Sequence, residues 1–281
     1  MTAYAYRIVN VFTRGGRLTG NPLAVFEDGR GLDDATQQAL ALQMNLSETT
    51  FIFPSDKANA RVRIYTPAYE MPFAGHPTLG TSHVVRSLQK TGDALTLEMK
   101  AGVIPVKAEG DRWTLQANKA TWREVQESRA ELAAMLGLEE RDIADRPLWV
   151  AAGKEQLIVP VRDADAVLRA KPVADAFSRL KSVDNLSMAY VVADAGDAKG
   201  TVKARFFFPK GPAIVEDPAT GSACANLGSW FNAMRPGVDI QRVVTQGDEI
   251  LRPSDLYLAV KGGTVFVGGD VIELARGTLE I

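Results

Sequence analysis

The chain has 281 residues, of which 46% are hydrophobic and 23% are charged, and its formal net charge is −2. This length suffices for two lobes with cores of their own, and the composition is that of an ordinary soluble globular protein. The absence of a basic excess argues against a general nucleic-acid or membrane-surface binder. The sequence has no apolar run long enough for a membrane span, and its N-terminus lacks the pattern of a signal peptide. A cytoplasmic protein is therefore the expectation.

The single cysteine, Cys224, excludes an intrachain disulfide framework and a thiolate cluster for a metal. The sequence also lacks a Walker A motif, a dinucleotide-binding glycine motif after a strand and a zinc-protease histidine motif. We therefore expect no nucleotide, flavin or metal cofactor. Cys224 lies in the first turn of a predicted helix, where a thiolate would be favoured. Because the matched position in the first half holds Thr78, we interpret Cys224 as a small buried residue.

In chain order, the first half of the sequence combines β-branched and aromatic segments with two helical patterns. Either Asp33 or Asp34 can cap the first helix, and Gly75 precedes the second. The predicted helices cover residues 35–44 and 76–88. The predicted strands cover residues 9–12, 22–26, 49–53, 61–66, 95–99, 103–108 and 113–116.

The second half repeats this order. Its predicted strands cover residues 148–151, 157–161, 189–192, 203–208, 256–260, 264–267 and 271–274, and its predicted helices cover residues 164–180 and 222–234. We interpret the glycine pairs at 262–263 and 268–269 as hairpin turns, and the polar, helix-like residues 121–141 as the connector. Mostly antiparallel strands around one well-formed helix in each half predict an α+β protein. The predicted lobes are residues 1–119, with the final strand at about 272–281 packing back on them, and residues 120–281.

Two motifs occur twice, about 140 residues apart. In each copy an arginine, aromatic residues and a proline lead into Glu-x-Pro-x-x-Gly and a polar residue, at 63–76 and at 205–222. An Asn-Leu-Ser triplet precedes each copy, at 45–47 and at 185–187. Matched elements and motifs in the same order indicate a duplicated fold with two lobes that close on one active site. The alternative is one large sheet whose turns share proline and glycine.

The two copies differ at polar positions, and the differences point to two acids. Glu48 follows the first Asn-Leu-Ser triplet at the start of an apolar strand, a setting that suits proton transfer near neutral pH, whereas the second copy has Met188 there. Asp217 precedes the second central helix, where the first copy has a methionine. The usual alternative for each acid is an exposed or capping role. Glu70 and Glu216 occur in both copies, which fits structural hydrogen bonding as well as it fits chemistry, so we assign them no catalytic role.

Matched transitions from loop to helix occur at Gly75-His76 and Gly221-Ser222. A helix N-terminus offers unpaired N–H groups and the positive end of the helix dipole, so it binds anions. Two such ends facing one cleft could hold a small carboxylic acid. The alternative is that both helices are simply capped, with Ser222 as an ordinary N-cap, although histidine is a mediocre cap. We expect His83, two turns further on, to pack or to lie at the surface rather than to bind a metal.

Several segments of the chain resemble the PhzF-like phenazine-biosynthesis family, in the expected order. They are residues 20–26, 45–51, 72–80, 216–223, 246–247 and 252–254. The resemblance implies the diaminopimelate-epimerase fold, in which two pseudo-symmetric lobes each form a β-barrel around a central helix, and usually a homodimer. It also implies a cofactor-free isomerase in which a glutamate moves a proton between carbons of an unsaturated ring acid.

On that template Glu48 is the acid/base. The residues that line the substrate site are then Gly75, His76, Asp217, Gly221 and Ser222. One departure from the family is Leu251, which stands where glycine commonly precedes Arg-Pro-Ser and can alter a turn near the cleft. Three functions follow as hypotheses. They are a one-base isomerase of a small unsaturated carboxylic acid, a two-base epimerase or racemase with Asp217 as the second base, and a small-acid binding protein without turnover.

Overall fold

The computed structural model describes residues 1–144, 146–196 and 200–281. The chain divides into two compact units, of which the first comprises Met1–Gln116 with Gly268–Ile281 and the second comprises Ala117–Val267. Both units combine strands with helices, so the predicted α+β class is confirmed. Among the described residues, no helix has the length and apolar character needed to cross a membrane.

The first unit contains two helices and a series of strands that follow the predicted order. Its helices are α1 (Asp34–Met44) and α2 (Gly75–Gln89). Its strands are β1 (Ala3–Val11), β2 (Asn21–Phe26), β3 (Glu48–Phe53), β4 (Ala60–Tyr65), β5 (Glu70–Met71), β6 (Ala94–Met99), β7 (Gly102–Glu109) and β8 (Arg112–Gln116). Asp33 caps α1 by accepting a hydrogen bond from the Thr36 amide, as predicted.

The second unit also consists of strands interrupted by helices. Its helices are α3 (Arg129–Met135), α4 (Ala164–Arg169), α5 (Ala174–Phe177) and α6 (Gly221–Met234), and short 3-10 turns occur at Glu140–Asp142 and Asp248–Ile250. Its strands are β9 (Thr121–Glu124), β10 (Leu148–Ala151), β11 (Glu155–Pro160), β12 (Ala189–Asp194), β13 (Thr201–Lys210), β14 (Ala213–Asp217), β15 (Ile240–Gln246), β16 (Ser254–Lys261) and the start of β17 (Thr264–Glu280). From Gly268 onward, β17 belongs to the first unit.

Hydrogen bonding closes the sheet of the first unit on itself. β1 pairs with β17 and β2, and the pairing continues through β3, β4, β6, β7 and β8 back to β17. The pairs β2/β3 and β4/β6 are parallel. The pairs β1/β17, β1/β2, β3/β4, β6/β7 and β7/β8 are antiparallel. Helix α2 packs against β1, β2, β3, β6 and β8, and its residues 76–82 are all buried. This helix is therefore the central element of the ring.

The second unit repeats this pattern of pairing. The parallel pairs β2/β3 and β4/β6 recur as β11/β12 and β13/β15. β10 pairs with β9 just as β1 pairs with the end of β17, antiparallel in both cases. Helix α6 packs against β10, β11 and β16 and takes the role of α2. The duplication inferred from the sequence is thus present in the topology of the two units.

The repeated arginine and glutamate form an ion pair in each unit. Arg63 Nε donates to Glu70 Oε1 at 2.8 Å, and Arg205 Nη2 donates to Glu216 Oε2 at 2.7 Å. The bond from Arg63 holds the pKa of Glu70 below its usual value. Both glutamates thus form structural ion pairs at the turn, which is one of the two roles that fit their retention in both copies.

Two predicted helices are wrong. Residues 164–180 form two short helices, α4 and α5, because Pro172 has no amide hydrogen and restricts Lys171 to extended backbone. Residues 121–141 are not a continuous helical connector. They begin with strand β9, in which Thr121–Glu124 extends the sheet beside β10, and only Arg129–Met135 is an α-helix.

The glycine pair at 268–269 is not a hairpin turn. Both residues lie inside β17, so the two predicted strands at 264–267 and 271–274 are one strand. A Cβ atom on Gly268 would lie 2.9 Å from the carbonyl oxygen of Trp113, and one on Gly269 would lie 2.2 Å from the ring of Phe12. Glycine is needed here because neighbouring groups approach the backbone closely, which is the other common reason for glycine in a strand. The pair at 262–263 does form the predicted turn between β16 and β17.

Candidate active site

Glu48 and His76 meet in the first unit. Glu48 is the first residue of β3, and His76 is the second residue of α2. His76 Nδ1 lies 2.9 Å from Glu48 Oε2. The imidazole is buried and the carboxylate is half-buried, with 18% of its side chain exposed, so Glu48 is open to a small molecule. The structure therefore brings together the predicted acid/base and one predicted binding residue.

The contact of the second ring nitrogen of His76 indicates that this nitrogen is protonated. His76 Nε2 lies 3.2 Å from the backbone carbonyl oxygen of Asn21, which can only accept a hydrogen bond, so Nε2 carries a proton. The bond between His76 and Glu48 then contains one shared proton. Either a carboxylic acid donates to a neutral imidazole, or an imidazolium donates to a carboxylate. In the second of these states, the Glu48 carboxylate can accept a further proton while the His76 Nδ1–H still donates to it.

Both central helices begin without a side-chain cap in the described part of the chain. Ala74 precedes α2 and Thr220 precedes α6, and neither makes a capping side-chain hydrogen bond. The expectation that Ser222 could be an N-cap is wrong, because α6 begins at Gly221 and Ser222 lies exposed in its first turn. The polar first turns therefore suit an anionic ligand.

A buried glutamine shapes the loop that leads into α6. Gln246 Nε2 donates to the backbone carbonyl of Asp217 at 2.8 Å, and Gln246 Oε1 accepts a hydrogen bond from the Tyr190 hydroxyl at 3.0 Å. The Thr220 hydroxyl donates to Asp217 Oδ2 at 2.6 Å. Gln246 and Tyr190 are both fully buried. Asp217 is thus held in a fixed position in the second unit, near Gly221 and Ser222 in sequence.

Cys224 is a buried residue and His83 packs against its surroundings, as the sequence predicts. Cys224 is fully buried, and desolvation raises the pKa of its thiol, so the reactive thiolate is disfavoured. His83 is mostly enclosed, and burial followed by the charge of Arg86 lowers its pKa. No cluster of three or more His, Cys, Asp or Glu side chains suited to a metal ion occurs among the described residues.

Leu251 adopts a conformation that favours glycine. It ends the turn at Asp248–Ile250 with φ 59° and ψ 29°, in the left-handed region, and its side chain is 85% exposed. A residue with a Cβ pays about 1–2 kcal/mol in this region. Leucine at this position therefore introduces local backbone strain, and its exposed side chain gains little burial.

Replacing Leu251 with glycine should stabilise the protein. Relief of the left-handed strain, less the entropy that glycine loses on folding, should raise the free energy of unfolding by about 0.5–1 kcal/mol. Leu251→Ala is the control, because it removes the exposed side chain and keeps the strain. Urea denaturation of both variants measures the difference. Equal stability of the two variants would show that relief of the strain does not exceed the entropy that glycine loses on folding.

A sequence model described as phenazine biosynthesis-like protein matches residues 9–273 of this chain. The chain belongs to this family. An uncharacterised isomerase of Pasteurella multocida is 35% identical over 99% of the chain and 95% of the relative. A trans-2,3-dihydro-3-hydroxyanthranilate isomerase of Pseudomonas aeruginosa is 32% identical over 98% of each protein. The solved structure of a PhzF-family phenazine biosynthesis protein of Bacillus anthracis matches all of both chains with a TM-score of 0.89 and 24% identity. The fold implied by the resemblance is thereby confirmed.

The contacts in the structure also draw attention to residues that the sequence pattern does not single out. The backbone carbonyl of Asn21 and the side chain of Gln246 had no assigned role, although both residues lie in segments that resemble the family. Gln156 and Asn226 were not noticed at all, yet they bond to each other and Gln156 bonds to Ser222. A residue-by-residue comparison of the two copies would have revealed them, because the matched positions in the first copy are apolar.

Proposed function

We propose that this protein is a cofactor-independent isomerase that moves a proton between carbons of a small unsaturated, cyclic carboxylic acid. Glu48 is the single acid/base in this proposal. The observation that carries it is the contact between Glu48 and His76, in which one proton is shared by a half-buried carboxylate and a buried imidazole. The Pseudomonas aeruginosa relative is named as the isomerase of such a ring acid.

The proposed reaction needs one proton and no redox partner. The Glu48 carboxylate accepts a proton from an sp³ carbon of the substrate, and the electrons of that C–H bond form a new double bond. The former double bond shifts its electrons to a distant carbon, which takes the proton back from Glu48. The imidazolium of His76 offsets the negative charge that develops on the substrate. Substrate and product are therefore isomers, and the enzyme returns to its starting protonation state.

In the proposal, the second unit contributes the groups that bind the substrate. The exposed Ser222 hydroxyl and the first-turn N–H groups that begin at Gly221 would bind its carboxylate, and Asp217 would accept a hydrogen bond from an amino or hydroxyl group. In the first unit, the backbone N–H groups of Gly75 and His76 would play the corresponding part. The uncapped start of α6 and the fixed loop at Asp217 support this assignment, as does the asymmetry of the two copies.

A two-base epimerase is the strongest alternative, and Cys224→Ala checks the version of it in which a thiol, rather than Asp217, is the second base. We expect Cys224→Ala to leave turnover within a few-fold of the unmodified enzyme, because the thiol is fully buried and its raised pKa disfavours the thiolate. Steady-state kinetics on a verified substrate measures the effect. A loss of a hundredfold or more in a folded variant would make the cysteine an acid/base and favour the epimerase.

The experiment that tests the function is isomerisation in heavy water. Small unsaturated and cyclic acids, trans-2,3-dihydro-3-hydroxyanthranilate among them, are screened by thermal shift, and stabilising acids are incubated with enzyme in D₂O. NMR should show deuterium at the carbon that gains the proton, a displaced double bond and no inverted stereocentre. Inversion at one carbon would support the epimerase, and binding without exchange would support a protein that lacks turnover. A homodimer and a cytoplasmic location stay predictions, and light scattering checks the first.

A further inference from the structure

A chain of buried amides runs to Ser222 in the second unit. Gln156, the second residue of β11, is 2% exposed, and Asn226, one turn after Ser222 in α6, is 1% exposed. Asn226 Nδ2 donates to Gln156 Oε1 at 2.8 Å, and Gln156 Nε2 donates to Ser222 Oγ at 3.0 Å. Two adjacent buried carboxamides need partners for their polar atoms, so their arrangement calls for an explanation.

Backbone groups determine the direction of each hydrogen bond from Asn226 through Gln156 to Ser222. The Ala152 amide donates to Asn226 Oδ1 at 2.8 Å, and the carbonyl of Lys154 accepts from Asn226 Nδ2 at 3.0 Å. An amide N–H only donates and a carbonyl only accepts, so Asn226 has one possible orientation. Its Nδ2 faces Gln156, which must present Oε1 there and Nε2 to Ser222. The Ser222 oxygen is consequently an acceptor.

An accepting oxygen leaves the Ser222 proton for another group. The bond from Gln156 is the one hydrogen bond of the Ser222 side chain among the residues that the structure describes. Ser222 is exposed in the first turn of α6, so its O–H can donate to a ligand. The group that accepts this hydrogen bond on a ligand can be a carboxylate oxygen, which is the strongest common acceptor.

The first unit shows that the fold does not require these amides. Leu23 lies opposite Glu48 where β2 pairs with β3. Where β11 pairs with β12, Leu157 lies opposite Ala189, which follows Met188, the match of Glu48. Gln156, which precedes Leu157, therefore corresponds to Leu23. The matched strand position is therefore apolar in one copy and polar in the other.

The matched helix position changes in the same way. Gly80 follows His76 by four residues, as Asn226 follows Ser222. A Cβ atom on Gly80 would lie 2.7 Å from Leu23 Cδ2, so helix and strand are in direct apolar contact in the first unit. The second unit replaces this contact with an amide pair. Asn226 also bonds to the loop at 152–154, whereas the Gln156 side chain bonds to Asn226 and Ser222 alone among the described residues.

We infer that Gln156, oriented by Asn226, is a positioning residue that keeps Ser222 as a hydrogen-bond donor to the substrate carboxylate. This inference rests on the proposed function and specifies its binding half. It predicts that the second unit selects ligands by an acceptor oxygen, and that selection is lost when Gln156 can no longer donate. Gln156 itself does not touch the ligand.

The test replaces Gln156 with methionine, which has a similar length and no hydrogen-bond donor. The probes are 3-hydroxyanthranilate, the aromatic analogue of the relative's ring acid, and 2-aminophenol, which lacks the carboxylate. Calorimetry should show roughly tenfold weaker binding of the acid to Gln156→Met and no change for 2-aminophenol. Ser222→Ala should weaken binding of the acid by a similar factor, and the double variant should be no weaker than Ser222→Ala alone.

Each outcome of this design decides one question. If Ser222→Ala weakens binding of the acid and Gln156→Met does not, the inference is wrong and the proposed function stands. If the unmodified protein binds neither the acid nor any acid of the thermal-shift panel, the proposed function is wrong, and the inference that rests on it is wrong as well. Equal loss for both probes would indicate a purely structural role for Gln156. Should Gln156→Met not fold, Gln156→Leu, which copies Leu23, serves as the second variant.

Discussion

Turnover should fall by about 10²–10⁴-fold when Glu48 is replaced by glutamine. Glutamine keeps the length of the side chain and can still bond to His76, but it cannot carry a proton between two carbons. The affinity for a ligand acid should therefore stay within a few-fold of the unmodified value. Single-turnover kinetics in D₂O, together with calorimetric binding of the same acid, separates these two effects. A glutamine variant with a near-normal rate would rule out the one-base mechanism.

Glu70→Gln is the matched control. Glu70 lies in the same unit and is also partly buried, but its partners are Arg63 and Lys100, and it makes no contact with His76 in the described structure. Loss of this ion pair should lower the free energy of unfolding by about 1–3 kcal/mol and leave turnover nearly unchanged. A large loss of turnover in this variant would mean that any perturbation of the lobe, and not the loss of a proton carrier, inactivates the enzyme.

Local patterns in the sequence sufficed to predict elements whose signals are themselves local. Asp33 identifies the start of α1 because a cap is a contact over three residues, and the periodicity of α2 and α6 reflects burial of a helix face. Glu48 is the predicted acid/base because the second copy has Met188 at the matched position; the structure places it against His76, and its role stays a prediction. The duplicated motif also contains both partners of the ion pair at Glu70, since Arg63 lies only seven residues away, but the pairing itself is seen only in the structure.

The predictions failed where structure depends on partners that are far away in the sequence. Thr121–Glu124 is a strand because β10 offers it a hydrogen-bonding edge, which no helical pattern in the segment could reveal. Gly268 and Gly269 are needed because β8 and Phe12 approach them from more than 150 residues earlier in the chain. Gln156 and Asn226 are 70 residues apart, and their pairing becomes visible only once strand register and helix position are known.

Gly247 packs closely against the loop that carries Asp217, so a substitution there should affect both the stability of the second unit and the position of this loop. Its φ is 80°, and a Cβ atom would lie 2.4 Å from the carbonyl oxygen of Arg252 and 2.5 Å from that of Pro218. Both neighbours are backbone atoms, which cannot rotate away as the end of a flexible side chain can. Pro218 directly follows Asp217, and Gln246, next to Gly247, donates to the Asp217 carbonyl. Any shift that accommodates a methyl group must therefore move the Asp217 loop.

Gly247→Ala should accordingly lower the free energy of unfolding by about 3–5 kcal/mol, the range of severe backbone and packing defects. Gly262→Ala is the control, because Gly262 also has a positive φ, 53°, but no described atom would lie within 4 Å of its Cβ. That variant should lose only about 1 kcal/mol, the cost of the left-handed conformation. Urea denaturation measures both, and calorimetry with a ligand acid should show weaker binding for Gly247→Ala alone. Similar losses of stability in the two variants would mean that the close approach of Pro218 and Arg252 to Gly247 does not constrain the loop.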